Sequence, residues 1–344
     1  MNEQSPFKRV LHSHWTYLIF LSFLILTVLY LFKPHTLNPH SITITIESVP
    51  DHYERAVAFF VYYDQPPYSI APVQSLIDTF YQEHIPLTLF FTPQYNDTTE
   101  NVIYNQDPFL DFPFTSLDFK DAAVGTSNYF NSPLGSLSYA QQEFLMQQAH
   151  NAYLPHNLSV NGFYPPQFSA NFDTLLAAEN LHYDYLLAGP LDQQPFHPDS
   201  PLGIKMHLLV FPLANTPTWQ EEEGIFAIQL DHELLGYNLL STAQFLNTLA
   251  NDTTTLYTTL NDLDDLIRER ERISAYITTD VRSYITDITF EELIDDVQLR
   301  VISPYTITSV NSTNQSLLLR ETDSGYLIPL NTSTSTIRIY WEYS

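Results

Sequence analysis

Continuous apolar runs alternate with segments of helical periodicity over the first two thirds of the chain. Ala56–Val61 is uninterrupted in apolar residues, as expected of a strand buried on both faces. Apolar positions between Ile70 and Tyr81 then recur at helical spacing, and Leu87–Phe91 is the next strand-like run. This alternation predicts an α/β fold with a mainly parallel sheet, either a barrel or a doubly wound sheet.

Two capping-box patterns predict further helix starts in the same region. Ser138 is followed three positions later by Gln141, and Ser241 by Gln244, in each case ahead of an apolar-periodic stretch. We therefore assign residues 42–272 to one α/β domain.

The pattern changes after residue 272, where short apolar pieces separated by turn residues replace the alternation. The predicted strands are Ile273–Ile277, Val297–Ile302, Ile307–Val310, Leu317–Leu319, Tyr326–Ile328 and Ile337–Trp341. Short strands at this spacing are typical of all-β domains, so we predict a small β-sandwich over residues 273–344.

The amino-terminal region contains one uncharged apolar run, Trp15–Phe32. At about 1.5 Å per residue, it is long enough to cross most of a hydrocarbon core about 30 Å thick. Lys8 and Arg9 precede it, which predicts a cytoplasmic segment 1–14, a transmembrane anchor 15–32, a stalk 33–41 and an extracytoplasmic body. A cleaved signal peptide and a buried core helix are the alternatives, but no small-x-small cleavage pattern follows the run. The expected location is the cell membrane, with a single pass.

Charge and composition exclude several classes of function. The chain has 13 Lys and Arg against 39 Asp and Glu, a net charge of −26, so a nucleic acid is not expected as a partner. It has no cysteine, which excludes disulfides, thiolate metal sites and cysteine nucleophiles. A glycine-rich phosphate loop and a G-x-S-x-G elbow are both missing from the sequence.

A series of segments in the α/β region resembles, in order, the motifs of the polysaccharide deacetylase (NodB-homology) family. Val61–Pro66 resembles the family's T-F-D-D-G-P, and Ile85–Phe91 its G-I-P-A-T-F-F. The remaining similar segments are Leu134–Gln141 after the second motif, Phe163–Phe168 at F-R-P-P-Y/F, Ile228–Glu233 at the strand ending in L-H-P-E, and Tyr257–Ile267 at the closing segment. The resemblance covers roughly residues 42–270 and implies a distorted (β/α) barrel.

The resemblance also implies a reaction, metal-assisted hydrolysis of acetyl groups on glycans, and a position for each of its residues. In the family, one Asp and two His hold a metal ion, usually zinc, which polarises the carbonyl and activates water. Here the metal Asp is Asp64. The family's other positions hold neutral or altered residues: Tyr63 at the general base, Ser127 and Asn131 at the two histidines, Tyr164 at the orienting Arg, and Asp231 at the general acid, with His232 shifted by one place.

A protonated phenol cannot replace a carboxylate base, and hydroxyl and amide oxygens are poor zinc ligands. We therefore expect a catalytically inactive member that needs no cofactor and binds a cell-envelope or exopolysaccharide glycan, or a partner protein. The alternative is an active hydrolase in which Asp64, Asp192 and Asp231, with or without His232, bind a divalent metal ion such as Mg²⁺ or Ca²⁺. Tyr62, Tyr63 and Tyr164 either stack on sugar rings in a cleft or fill core space, and Asp64 either lies in that cleft or caps the next helix.

Overall fold

The computed structural model describes residues 41–47, 49–50, 53–64, 69–93, 116–130, 133–190, 194–214, 220, 222–231, 235, 239–281, 283–294, 297–312, 315–322, 325–330 and 333–342. Among the helices of these ranges, none is long and apolar enough to cross a membrane. The predicted anchor, Trp15–Phe32, lies outside the described residues.

Seven parallel strands form a closed barrel. The first nine strands in chain order are β1 (Thr43–Ile46), β2 (Arg55–Tyr63), β3 (Leu87–Phe91), β4 (Ala123–Ser127), β5 (Gly162–Tyr164), β6 (Tyr185–Pro190), β7 (Leu209–Leu213), β8 (Gly224–Leu230) and β9 (Thr255–Thr258). Strands β2 to β8 pair in sequence order, and β2 pairs with both β3 and β8, which closes the ring. Strand β9 pairs with β2 along Arg55–Ala58, beside the segment of β2 that pairs with β3. The predicted strands at residues 56–61 and 87–91 are confirmed.

The barrel is distorted because some neighbouring strands share few paired residues. Strands β7 and β8 pair only through Leu213 and Ala227, and β4 and β5 only through two residue pairs. Inside the barrel, two glycines allow large aromatic rings to pack directly against the backbone. A Cβ at Gly125 would lie 2.2 Å from the Phe90 ring, and one at Gly162 would lie 2.2 Å from the Tyr185 ring. Neither position can hold a larger residue without displacing the aromatic ring.

The helices in the described part of this domain are α1 (Ile70–Gln82), α2 (Tyr139–Tyr153), α3 (Phe172–Asn180), α4 (Leu239–Ala250) and α5 (Leu260–Glu271). Successive residues of β2 point alternately into two separate apolar cores. Val57, Phe59, Val61 and Tyr63 pack against buried residues of α1, α2 and α4, whereas the residues between them pack with the apolar side chains that fill the barrel interior.

One predicted capping box is present and the other is not. The Ser138 backbone N–H donates to Gln141 Oε1 over 3.0 Å at the start of α2, as predicted. Helix α4, however, already begins at Leu239, so Ser241 lies inside the first turn and cannot be its N-cap. The helix therefore starts two residues before Ser241, the residue that was predicted to be its N-cap.

Two four-stranded antiparallel sheets follow the barrel. Their further strands are β10 (Ala275–Asp280), β11 (Ile285–Ile294), β12 (Val297–Ile302), β13 (Ile307–Ser312), β14 (Arg320–Thr322), β15 (Gly325–Leu330) and β16 (Thr334–Trp341). The strand orders are β1-β12-β15-β14 and β10-β11-β16-β13, and buried residues from both sheets form one apolar cluster. Strand β11 has no counterpart in the sequence prediction, and the piece predicted at Leu317–Leu319 is replaced by β14 immediately after it.

Strand β1 lies in one of these sheets, not in the barrel. Thr43–Ile46 pair antiparallel with Leu299–Ile302 of β12. The predicted boundary at residue 42 had placed this segment with the barrel. Its alternation of exposed threonine and half-buried isoleucine suits the edge of an antiparallel sheet better than a fully buried barrel strand.

Arginines connect the sheets to the amino-terminal end of the barrel strands. Arg300 of β12 donates to Glu47 and to Glu223, the residue before β8, at 2.8 and 2.7 Å. Gln298 Nε2 donates to the carbonyl oxygens of Pro50 and Tyr53. Arg320 of β14 pairs with Glu54, which also accepts from Arg55. We call these contacts the junction, and a cavity of about 250 Å³ lies beside them, lined in part by Arg300, Glu47 and Gln298.

Candidate functional site

The predicted site residues that the structure describes lie near the carboxyl ends of the barrel strands. Asp64 directly follows β2, Ser127 ends β4, Tyr164 ends β5, and Asp231 directly follows β8. Because neighbouring parallel strands end at the same rim, these residues share one end of the barrel, where sites in (β/α) barrels are built. Asn131, Asp192 and His232 lie outside the described residues, so their predicted positions stay predictions.

A pair of stacked tyrosines occupies this rim. The rings of Tyr62 and Tyr164 are 4.2 Å apart between centroids, with an angle of 28° between their planes. Tyr164 is 3% exposed and also contacts Phe168 edge-on and Phe60 and Phe90 at a tilt. The position where the family has a charged Arg is thus packed as part of an aromatic cluster.

Hydroxyl groups from two further strands lie beside the tyrosine pair. The Tyr62 hydroxyl is 3.0 Å from Oγ1 of Thr92, the residue after β3. Ser127 is fully buried and close enough to Tyr62 to favour its phenolate electrostatically, but its Oγ makes no hydrogen bond of good geometry within the described residues. We call the region lined by Tyr62, Thr92, Ser127, Tyr164 and Gln229 the barrel mouth.

Gln229 and Thr92 belong to the mouth although the sequence analysis did not single them out. Gln229 of β8 is exposed and lies close enough to the Tyr164 phenol to oppose the rise in its pKa. The sequence contained a signal for Gln229, which is the polar residue of an otherwise apolar strand. It lies on the same face of β8 as Ile225 and Ala227, which face the barrel interior.

Tyr63, in contrast, is not in the mouth. It is 8% exposed and belongs to the outer core between the sheet and the helices, where its ring stacks on Phe91 at 5.1 Å. Of the two alternatives given for Tyr63, the structure supports the filling of core space and not a position in a cleft. Tyr62 faces the barrel interior instead, because adjacent residues of a strand point to opposite faces.

The two carboxylates at the rim are both exposed. Asp64 does not cap the helix that follows it, since Ser69 is the N-cap of α1 and accepts from the backbone N–H of Ala71. It lies close enough to Tyr62 to raise the pKa of that phenol. Asp231 accepts the backbone N–H of Leu235 through its carbonyl oxygen.

The mouth holds its tyrosines in the protonated form. Burial raises the pKa of Tyr62, the Thr92 and Ser127 hydroxyls oppose the shift, and the Asp64 charge adds to it. Burial also raises the pKa of Tyr164, although Gln229 acts in the opposite direction. Neither phenol can serve as a general base near neutral pH, since almost none of it is ionised there.

The family's metal ion does not fit the residues present. Of its three ligand positions, the described ones hold the exposed carboxylate of Asp64 and the neutral, buried hydroxyl of Ser127. Zinc sites need imidazole, thiolate or carboxylate ligands, usually three from the protein. Within the described ranges, no three His, Asp or Glu side chains are grouped closely enough to hold a metal ion.

Comparisons with known proteins identify the fold. No family model and no curated protein matches the sequence. Among solved structures, a putative polysaccharide deacetylase from Mycobacterium smegmatis aligns at TM-score 0.51 and 12% identity, over 69% of this chain and 98% of its own. Puue allantoinase aligns at TM-score 0.51 and 13% identity, over 64% and 92%. A CE4 family pseudoenzyme from Bacillus anthracis aligns at the lower TM-score of 0.40 and 11% identity, over 61% of this chain and 66% of its own. The resemblance drawn from the motifs is confirmed at the level of the fold.

Proposed function

From the barrel fold that this chain shares with polysaccharide deacetylases, we propose a protein that has lost deacetylation and uses the barrel mouth to bind a glycan. The observation that carries the proposal is the stacked pair Tyr62–Tyr164, which lies where the family's Arg and its catalytic groups would meet. Deacetylation needs a carboxylate base and a metal ion that activates water. The described mouth offers neutral phenols, hydroxyls and an amide in their place.

The same groups suit sugar recognition. Half-buried Tyr62 and Phe168 present part of an apolar ring surface, and Gln229, Asp64 and Asp231 are exposed beside them. Sugar rings stack their C–H faces on aromatic rings, while amide and carboxylate oxygens accept hydrogen bonds from sugar hydroxyls. The ligand class that this supports is a neutral glycan of the cell envelope or an exopolysaccharide.

The proposal extends to the rest of the chain. We assign residues 15–32 to an uncleaved membrane anchor with the amino terminus in the cytoplasm, which carries the barrel on the outer side. The two carboxy-terminal sheets, which share one apolar cluster, form a small β-sandwich that stabilises the amino-terminal end of the barrel through the junction.

The decisive experiment combines a turnover assay with a binding assay on the purified extracytoplasmic part, residues 41–344. Acetate release from acetylated chitin and peptidoglycan fragments is measured with and without added zinc, and glycan binding is measured by calorimetry. We expect no acetate release, and binding that Tyr62→Ala weakens by about two- to tenfold, since one stacking contact contributes about 0.5–1.5 kcal/mol. Tyr276→Ala, an exposed tyrosine of the carboxy-terminal sheet, is the matched control and should leave binding unchanged.

Two results would contradict the proposal. Metal-dependent acetate release that Asp64→Ala abolishes at an unchanged melting temperature would establish the alternative, an active hydrolase with a rearranged site around Asp64 and Asp231. Absence of binding across the glycan panel, together with a complex after crosslinking in cells that Tyr62→Ala removes, would assign the mouth to a partner protein instead.

A further inference from the structure

The two carboxy-terminal sheets have four edge strands, and one of them differs from the other three. Strand β14 has only three residues, two of which are charged, and β1 has only four. Strand β13 has an irregular register between Ile307 and Ser309. Short length, charge and bulges are the means by which proteins keep sheet edges from pairing with other chains. Strand β10 has none of these protections along its interior.

Strand β10 is regular and uncharged up to its last residue. Its residues, Ala275-Tyr276-Ile277-Thr278-Thr279-Asp280, pair one to one with β11 over six consecutive positions. β-Branched and aromatic residues dominate, and the strand has no Lys, Arg, Pro or Gly. Its second side takes no partner strand from the described part of the chain.

Both faces of β10 are open. Ile277 is paired with Ile288, which is 1% exposed in the shared core, yet Ile277 itself is 49% exposed. Ala275 is likewise exposed, although it is paired with the buried Phe290. The core face of the sheet therefore continues onto β10 as an uncovered apolar strip beside the free edge. An added strand would gain backbone hydrogen bonds and cover this strip at the same time.

The opposite face carries acidic groups. Glu291 accepts from the exposed hydroxyl of Tyr276, Asp280 ends the strand, and Asp287 is paired with Arg338. Among the described residues, three carboxylates and one guanidinium give this face a negative balance, on a chain with a net charge of −26. A pairing strand with cationic side chains on this face is complementary in charge.

We propose that β10 is a docking edge for an extended segment of another protein, in which lysine or arginine alternates with aliphatic residues. The aliphatic residues lie on the Ile277 strip and the cationic ones beside Glu291 and Asp280. A second copy of this chain is the poorer occupant, because pairing two β10 edges brings together two strongly acidic bodies. This role is independent of whether the barrel mouth binds a glycan.

The probe is a capped, fluorescently labelled peptide of alternating lysine and valine, and its control alternates glutamate and valine. Binding to the purified full-length chain is followed by fluorescence anisotropy at physiological salt. We expect Ile277→Lys, which places a protecting charge on the edge, to weaken binding of the lysine peptide at least about tenfold. Ile302→Lys makes the same change at an isoleucine 46% exposed at the end of β12, and it should stay within about twofold of the wild type.

Thr278→Lys, on the other face of β10, is a second variant that should also weaken binding, and circular dichroism checks that both variants fold. Equal weakening by Ile277→Lys and Ile302→Lys would overturn the proposal, since it would reduce binding to long-range attraction by the acidic body. Concentration-dependent dimerisation that Ile277→Lys removes, without peptide binding, would overturn it in favour of a second copy. No binding of either peptide would overturn it outright.

Discussion

The two ends of the barrel use charged side chains in opposite ways. At the junction, Arg300 and Arg320 pair with Glu47, Glu223 and Glu54 and tie the carboxy-terminal sheets to the starts of the barrel strands. At the mouth, where the deacetylase fold would carry its base, acid and metal ligands, the buried groups are neutral and the carboxylates are exposed. The described ion pairs of the junction thus lie between the two parts of the chain, whereas the buried groups described at the mouth are neutral.

The largest effect is expected at the mouth, from removing the ring of Tyr164. Tyr164→Ala deletes an aromatic side chain that contacts four other rings and is 3% exposed. We expect the free energy of unfolding of the barrel to fall by about 3–5 kcal/mol, through lost burial and the cavity left behind. Urea unfolding measures it, with Phe144→Ala, which is 46% exposed on α2, as the control. A loss as small as that of the control would mean that the mouth is not packed.

A smaller loss is expected at the junction. Arg300→Ala leaves Glu47 and Glu223 without their shared partner in a region where the Arg300 side chain is only 16% exposed. We expect a loss of about 1–3 kcal/mol in thermal or urea unfolding, since the charges lose both attraction and hydrogen bonds. Arg338→Ala, whose side chain is 50% exposed in its pair with Asp287, should have the smaller effect of the two. The reverse order would refute the structural role given to the junction.

The smallest effect is expected from the buried hydroxyl of the mouth. Ser127→Ala removes an oxygen that makes no well-formed hydrogen bond in the described structure, so unfolding should change by less than about 1 kcal/mol. Differential scanning calorimetry of the wild type and of Ser127→Ala measures this difference in stability. A strongly destabilised variant would show that Ser127 has a polar partner and that the mouth is more tightly organised than its described contacts indicate.

Much of the barrel could be predicted because its signals are local. The apolar run at 56–61 and the helical spacing after Ile70 give β2 and α1 almost to the residue, since burial of a repeated pattern leaves few alternatives. Strand β11 was missed because its residues, Ile285–Ile294, mix charged and apolar positions. Its place in the sheet is set by antiparallel pairing with β10 and β16, which no local window contains.

The site was predicted in part. The motif resemblance assigned Asp64, Ser127, Tyr164 and Asp231 to family positions, and each lies at or directly after the carboxyl end of a barrel strand. It could not decide between Tyr62 and Tyr63, because which of two adjacent tyrosines faces inward depends on the register of the whole ring of strands. Thr92 and Gln229 were missed for the same reason, since each becomes part of the mouth only through neighbours distant in sequence.

By itself, the amino-acid sequence determined the alternation of strands and helices and the residue types at the positions that resemble the family's motifs, because both are properties of residue types in order. Only the tertiary structure decided that Tyr62 stacks on Tyr164, that β1 belongs to one of the two carboxy-terminal sheets, and that Arg300 and Arg320 lie at the junction. These outcomes depend on contacts between segments far apart in the chain, whose energies no local pattern records.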